Sequence, residues 1–202
     1  MHGVAKLGYW SAIATFVTAA AYGVVQVGQV TGVLAFPWDE VTIFGFSMLI
    51  PVPFVLSMVA LHYSVSEANR VFSHAAIAFA VMYATLVTIV YPTQLAVVVP
   101  TKLAGAAVDV ESLLVSQGTF MWVIDGAGYV LMGLATLFAA RALSSDRSSR
   151  WLRMFLFANG LLDPIIIAIY VFPSLLLVGS LWLITAPGSM LLLALYFRRR
   201  CA

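Results

Sequence analysis

Six long apolar segments constrain this chain more than any motif that it contains. They cover residues 8–34, 41–63, 71–99, 113–140, 153–172 and 174–197. A helix needs about 20 mostly apolar residues to cross the hydrocarbon core of a bilayer, and each segment reaches that length. The sequence therefore predicts an all-α fold, a polytopic membrane protein whose single domain, residues 1–202, is one bundle of six transmembrane helices. A short interfacial helix is expected within residues 100–113, before the fourth segment.

The composition supports lipid as the solvent of this chain. The sequence of 202 residues is 63% hydrophobic and 9% charged, whereas about 25% of the residues in an ordinary globular domain are charged. A net charge of +2 is too small to indicate nucleic-acid binding, so no nucleic-acid partner is expected. One cysteine excludes an intramolecular disulfide and a cysteine-based metal cluster. The sequence contains no nucleotide-binding or metalloprotease motif, and no cofactor or metal is predicted.

The basic residues predict the orientation in the membrane. With the amino terminus in the cytoplasm, nine of the ten Lys and Arg residues fall on the cytoplasmic side and only Lys102 falls outside. The nine are Lys6, Arg70, Arg141, Arg147, Arg150, Arg153, Arg198, Arg199 and Arg200. Cytoplasmic loops of membrane proteins carry such an excess of positive charge. Both termini are therefore predicted to be cytoplasmic, in the plasma membrane of a bacterium or archaeon.

Two aspartates, Asp125 and Asp163, lie deep inside apolar segments that hold no Lys or Arg in their interior to neutralise them. A carboxylate in hydrocarbon costs several kcal/mol unless it is protonated, paired or solvated. Asp125 lies about 18 Å from the outer end of its segment and Asp163 about 15 Å from the inner end, at 1.5 Å per residue. The two helices are joined by a short loop, so the aspartates are expected to approach each other or to line opposite walls of one pocket.

Other polar and aromatic residues share helix faces with these acids. Helical spacing places Gln117, Trp122 and Tyr129 broadly on the face of Asp125, and Asn159 on the face of Asp163. Glutamines in the outer halves of the first and third segments are expected to complete a polar funnel that ends at the two acids. The predicted ligand-binding set is Gln26, Gln29, Gln94, Gln117, Trp122, Asp125, Tyr129, Asn159, Asp163 and Trp182.

Structural interpretations compete with a ligand site at both acids. A protonated aspartate can join two helices through a hydrogen bond, and this applies most to Asp163, because Pro164 frees a backbone carbonyl one turn earlier. Prolines are also expected to bend four segments. These are Pro51 and Pro53 in the second, Pro92 in the third, Pro164 in the fifth and Pro187 in the sixth.

Three functions are compatible with this pattern. In the first, the protein binds or transports a small amphipathic or cationic molecule, which supplies the positive charge that Asp125 and Asp163 lack. In the second, it is a membrane-embedded enzyme that acts on a prenyl, quinone or sterol-like substrate. A protonated aspartate would be the general acid, and Trp122 and Trp182 would shield a carbocation. In the third, it is an accessory subunit of a larger membrane complex. The expected partners are the lipid bilayer and a small hydrophobic or cationic ligand; a homo-oligomer is compatible with all three.

Overall fold

Helices dominate the computed structural model, which describes residues 2–147 and 149–201 and contains no β-strand in those ranges. Within them, six helical stretches are long and apolar enough to cross a membrane, and we number these spans 1 to 6. They are His2–Val30, Trp38–His62, Glu67–Leu103, Phe120–Ala142, Arg150–Ile169 and Pro173–Arg200.

Four of the six spans are interrupted. Span 1 is α1 (His2–Val30), and span 2 consists of α2 (Trp38–Leu49) and α3 (Pro51–His62). Span 3 contains a 3-10 turn (Glu67–Asn69), α4 (Arg70–Thr93), a π-helical turn (Gln94–Val98) and α5 (Val99–Leu103). A 3-10 helix (Ala107–Leu113) precedes span 4, which is α6 (Phe120–Ala142). Span 5 consists of α7 (Arg150–Gly160) and α8 (Asp163–Ile169), and span 6 of a 3-10 turn (Pro173–Leu175), α9 (Leu176–Gly179) and α10 (Trp182–Cys201).

The spans form a closed ring in chain order. Each packs against the span before it and the span after it, and span 6 returns to span 1. Phe197 near the end of α10 packs on Gly8 near the start of α1, and we call this end of the ring the terminal end. At the opposite end, here called the distal end, Lys102 pairs with Glu40. The nine Lys and Arg residues assigned above to one side gather at the terminal end; the assignment of that end to the cytoplasm remains a prediction.

Small residues allow the spans to approach closely in the terminal half of the ring. Gly160 of α7 lies against Gly133 of α6, so that a Cβ at residue 160 would come within 2.7 Å of the Gly133 carbonyl oxygen. Between α7 and α10, the ring of Phe155 occupies the space beside Gly188. Helices in lipid gain little from the hydrophobic effect and associate by such close packing. Buried side chains such as Phe54 and Leu193, which are 1% and 0% exposed, fill this half of the ring.

The beginning of span 4 differs from the predicted boundary at residue 113. The helix begins only at Phe120, because Gly118 adopts a positive φ of 88° that suits glycine best. Thr119 then caps the helix by accepting a hydrogen bond from the Trp122 amide. Asp125 is therefore five residues from the start of α6, about 8 Å, and not about 18 Å, as the sequence predicted. Trp122 lies in the first turn.

Two of the four expected breaks occur where prolines predict them, and two do not. Span 2 is interrupted just before Pro51, and span 5 between Gly160 and Asp163, next to Pro164. The helix continues through Pro92 in α4 and through Pro187 in α10, so neither residue interrupts its span. A proline removes only one backbone hydrogen bond, and transmembrane helices tolerate that loss. Span 6 is instead interrupted after Gly179. Because this residue has no Cβ, it can pack closely against Ile169.

The positive-inside orientation can be tested with cysteines in a Cys201→Ser background. We expect a membrane-impermeant maleimide to label Ala107→Cys in intact cells, because residue 107 is exposed at the distal end. Ser145→Cys, exposed at the terminal end, should be labelled only after permeabilisation. The reverse pattern would contradict the predicted orientation.

The contact between Gly133 and Gly160 predicts a stability difference between two glycine substitutions. Gly160→Ala should destabilise the protein by about 1–3 kcal/mol, because the added methyl group overpacks a backbone contact. Gly45→Ala is the matched control: residue 45 is also helical, and a Cβ there meets nothing within 4 Å. Thermal unfolding in a nonionic detergent measures both, and equal melting temperatures would contradict the prediction.

Candidate ligand-binding site

A cavity of about 700 Å³ occupies the distal half of the ring. Its volume lies in the range of small-molecule sites, which measure about 300–1,000 Å³. Six residues of the predicted ligand-binding set line it: Gln26, Gln29, Trp122, Asp125, Tyr129 and Trp182. The terminal half of the ring is closely packed, so the cavity ends near the middle of the bundle. We call this cavity the distal pocket.

Aromatic rings form the deep end of the distal pocket. Trp182, the first residue of α10, packs edge to face against Tyr129, with ring centroids 4.9 Å apart. It packs in the same way against Tyr22 of α1 at 5.9 Å. Phe44 and Tyr91 stack on each other at 6.3 Å, and both also line the pocket. Aromatic faces of this kind attract cations as well as apolar groups.

Asp125 contributes an acidic group to the pocket from the second turn of α6. The Tyr91 hydroxyl reaches its carboxyl group, but the buried atom Oδ1 has no hydrogen-bond partner among the described residues. The indole nitrogens of Trp122 and Trp182 are also buried and without partners there. Buried polar groups in proteins are nearly always hydrogen-bonded, and an unmade bond costs about 1–3 kcal/mol. Glu40 Oε2 is likewise buried without a partner there, so two acceptors and two donors of the pocket-lining residues remain unsatisfied.

A chain of hydrogen bonds runs from the deep end of the pocket along α1 to the distal end. The Tyr129 hydroxyl donates to Tyr22 at 3.2 Å, and Tyr22 donates to Gln26 Oε1 at 3.0 Å. Gln26 Nε2 donates to Gln29 Oε1 at 3.1 Å, and Gln29 Nε2 donates to Asp39 at 2.9 Å. The steps of four and three residues place the side chains on one face of α1. Every member donates in the same direction, so this wall of the pocket is held in one arrangement.

The distal end of the pocket is acidic. Glu40 lines the pocket and forms an ion pair with Lys102. The Lys102 ammonium group also lies 4.7 Å from the centre of the Phe36 ring. Because Lys102 is the only basic residue assigned to this end and is already paired, it leaves Asp125 without a basic partner.

Two of the predicted glutamines lie outside the lining of the pocket. Gln117 is exposed in the connection before α6, because the helix that was expected to carry it begins three residues later. Gln94 is 1% exposed and donates through Nε2 to the Leu113 carbonyl at 2.7 Å. It therefore holds the Ala107–Leu113 helix against span 3.

Asn159 and Asp163 form a separate polar region in the packed half. The Asn159 amide donates to Thr136 at 3.1 Å and accepts from Thr185 at 2.9 Å, which joins spans 4, 5 and 6. Asp163 is 6% exposed, its carboxyl group packs on Gly133, and neither oxygen has a partner among the described residues. Gly133 is eight residues beyond Asp125, about 12 Å along α6. The structure does not bring the two acids together.

Sequence reasoning left several lining residues out of the candidate set. Tyr22, Phe44 and Tyr91 form pocket walls, and Glu40 borders them. Tyr22 lies on the same face of α1 as Gln26 and Gln29, and this helical spacing was the signal that could have identified it. Phe44 carries no such signal, because an apolar ring in a transmembrane helix faces lipid as readily as a cavity.

Among the described residues, no group of three or more His, Cys, Asp or Glu side chains is placed to hold a metal ion. No known family model matches the chain, and no curated protein or solved structure is similar to it. The chain has helices compatible with a multi-pass membrane protein, and the distal pocket is the feature that bears on its function.

The three-span contact of Asn159 predicts a structural role for this residue. Asn159→Leu should lower the free energy of unfolding by about 1–2 kcal/mol, because it removes two interhelical hydrogen bonds. Thr88→Val is the control, since Thr88 is exposed and bonds only within its own helix. Thermal unfolding in nonionic detergent checks both variants, and an Asn159→Leu protein as stable as Thr88→Val would contradict this role.

Proposed function

We propose that the protein binds a small cationic or amphipathic molecule in the distal pocket, with Asp125 as its counter-ion, and moves it across or out of the membrane. The observation that carries this proposal is the buried Asp125 Oδ1 without a hydrogen-bond partner, beside the aromatic rings of Tyr129 and Trp182. A cation at this position would meet opposite charge on one side and aromatic faces on the other.

Energetics support a cationic occupant. A buried carboxylate without a partner is costly, and a charged ligand compensates it as a basic side chain would. Each aromatic face adds about 0.5–2 kcal/mol to the binding of a desolvated cation. Trp182 and Tyr129 meet at an interplanar angle of 80°, so they present differently oriented surfaces around one small volume. Such surfaces suit a rounded ammonium group better than a flat anion.

Movement of the ligand is supported by the interrupted helices beside the pocket. α8 and α9 contribute Ile169 and Gly179 to its wall, and both helices are short pieces of broken spans. Many transporters place their binding sites at discontinuous helices, where segments can reorient. With the predicted orientation in a bacterial or archaeal plasma membrane, the pocket would face the outer side.

An enzyme that uses two aspartates as acids is less well supported. Asp163 contacts Gly133 in the packed half, so Asp125 would act without a second carboxyl group beside it. The binding function needs only Asp125 and the aromatic walls, which the distal pocket brings together. No feature of the described residues favours an accessory subunit over either activity.

The proposal predicts that tetramethylammonium stabilises the protein against heat. Saturation at 100 times the dissociation constant corresponds to about 2.7 kcal/mol, which should raise the melting temperature of the wild type in nonionic detergent. Asp125→Asn should lose this shift because it removes the counter-charge. The shift should also shrink on acidification, since protonation of Asp125 neutralises the site.

Asp163→Asn is the matched control for this measurement. It removes the other membrane-embedded acid, which lies outside the pocket lining, and the tetramethylammonium shift should be retained. A wild-type protein that shows no shift, or an Asp125→Asn protein that shifts like wild type, would refute Asp125 as the counter-ion.

A further inference from the structure

The distal pocket has a side opening between spans 1 and 6. In the terminal half, α1 and α10 pack together, with Phe197 against Gly8. This contact continues to the middle of the bundle, where Leu183 lies 3.7 Å from the position of a Cβ at Gly23. Just beyond Leu183, span 6 is interrupted, and its α9 segment turns to span 5, where Gly179 packs on Ile169. α1 continues as one unbroken helix to Val30, whereas α9 packs against α8 of span 5.

Apolar side chains border the resulting gap. Val27 and Val30 of α1 line the pocket and are nevertheless 55% and 78% exposed. On the other side, Leu176 and Leu177 also line it and are 50% and 81% exposed. A residue that lines a cavity and is also largely exposed lies where the cavity opens. We call these four residues the side portal.

The side portal differs chemically from the distal end of the same pocket. Glu40, Lys102 and Asp39 lie at the distal end, as expected where a protein meets water. The portal residues are aliphatic and belong to spans 1 and 6, which lipid surrounds in a membrane protein. An opening bordered by aliphatic side chains suits a hydrocarbon chain and not a hydrated ion.

We infer that the ligand is a single-chain amphiphile with a cationic head, and that it reaches the pocket sideways from the membrane through the side portal. This inference rests on the proposed function, because the head is held at Asp125. The chain then lies between Val30 and Leu177. The pocket wall from Tyr22 to Val30 covers nine residues of α1, about 12 Å from the first to the last, so an extended chain can run from the aromatic cluster to the lipid.

Charge and polarity along the pocket support one orientation of this amphiphile. The unpaired Asp125 Oδ1 and the Trp182 ring lie at the deep end, where a cationic head is favoured. The aliphatic side chains of the portal lie at the opening. A reversed ligand would place its chain against Asp125 and its charge among Val27 and Leu177, which costs free energy at both ends.

The test uses the protein in lipid nanodiscs and a synthetic probe, a decyltrimethylammonium ion with a diazirine at the end of its alkyl chain. After photolysis, mass spectrometry locates the adducts. We expect adducts on Val27, Val30, Leu176 and Leu177 that excess unlabelled decyltrimethylammonium suppresses. Competition separates pocket binding from random labelling of lipid-facing surface, which excess ligand does not suppress.

Bulky substitutions at the portal test the route itself. Val30→Trp and Leu177→Trp should lose the competable adducts, because the ring fills the gap. Val24→Trp and Val171→Trp are matched controls, since residues 24 and 171 are 74% and 71% exposed on the same parts of the chain but do not line the pocket. The melting temperature without ligand should stay close to that of the wild type in all four variants, which shows that each one folds.

The outcomes separate the two proposals. Competable adducts confined to Phe44, Ile43 or Val115 would place the chain elsewhere in the pocket and overturn the side portal, while the binding function stands. Competable labelling that is undiminished in both portal variants would also overturn the side portal. If the wild type shows neither competable adducts nor the tetramethylammonium shift, the binding function is overturned. If it shows the shift without adducts, only compact cations bind, and the inference of an amphiphile that enters through the side portal is overturned.

Discussion

The contact between Gly133 and Gly160 is the constraint on which the rest of the ring depends. It lets spans 4 and 5 approach until the backbone of span 5 contacts both the backbone and the side chains of span 4. Apolar helices in lipid associate through such close packing. Just beyond Gly160 span 5 is interrupted, and toward the distal end a side chain makes the contact with α6, since the Tyr170 hydroxyl donates to the Val123 carbonyl at 2.8 Å. The same interruption places Asp163 against Gly133 and leaves the distal half of the ring to the pocket.

Within that half, hydrogen bonds determine which polar groups remain available. Tyr129 donates to Tyr22, and the donor chain continues through the α1 glutamines to Asp39. These hydroxyls and amides are satisfied by one another, so they shape a wall and contribute little free bonding capacity. The groups left over in the distal half are Asp125 Oδ1, Asp39 Oδ1, Glu40 Oε2 and the two pocket indoles. Selectivity in the proposed site would therefore come from few polar contacts, with aromatic surface supplying the remainder.

The sequence was sufficient to predict six helices long and apolar enough to cross a membrane, because each is encoded locally by length and apolar composition. It could not place the start of α6, since the positive φ of Gly118 and the Thr119 cap are single-residue effects inside an apolar stretch. Because of that error, Asp125 was predicted too far from the outer end of its helix, and Gln117 was predicted to be helical. Helical spacing did find Gln26, Gln29 and Tyr129, but which helix faces meet depends on tertiary packing, as the separation of the two acids illustrates.

The two acids within the apolar spans show why burial alone does not identify a ligand site. Asp163 has the smaller exposed fraction of the two, yet it packs on a glycine in closely packed surroundings, where no ligand has room. Asp125 is only partly buried, and the distal pocket is the space that it faces. The pocket is already formed around this acid, so little reorganisation of the protein opposes the binding of a ligand that neutralises it. A preformed acidic pocket with aromatic walls and an aliphatic side opening favours a molecule that matches it at both ends, charged at one and apolar at the other.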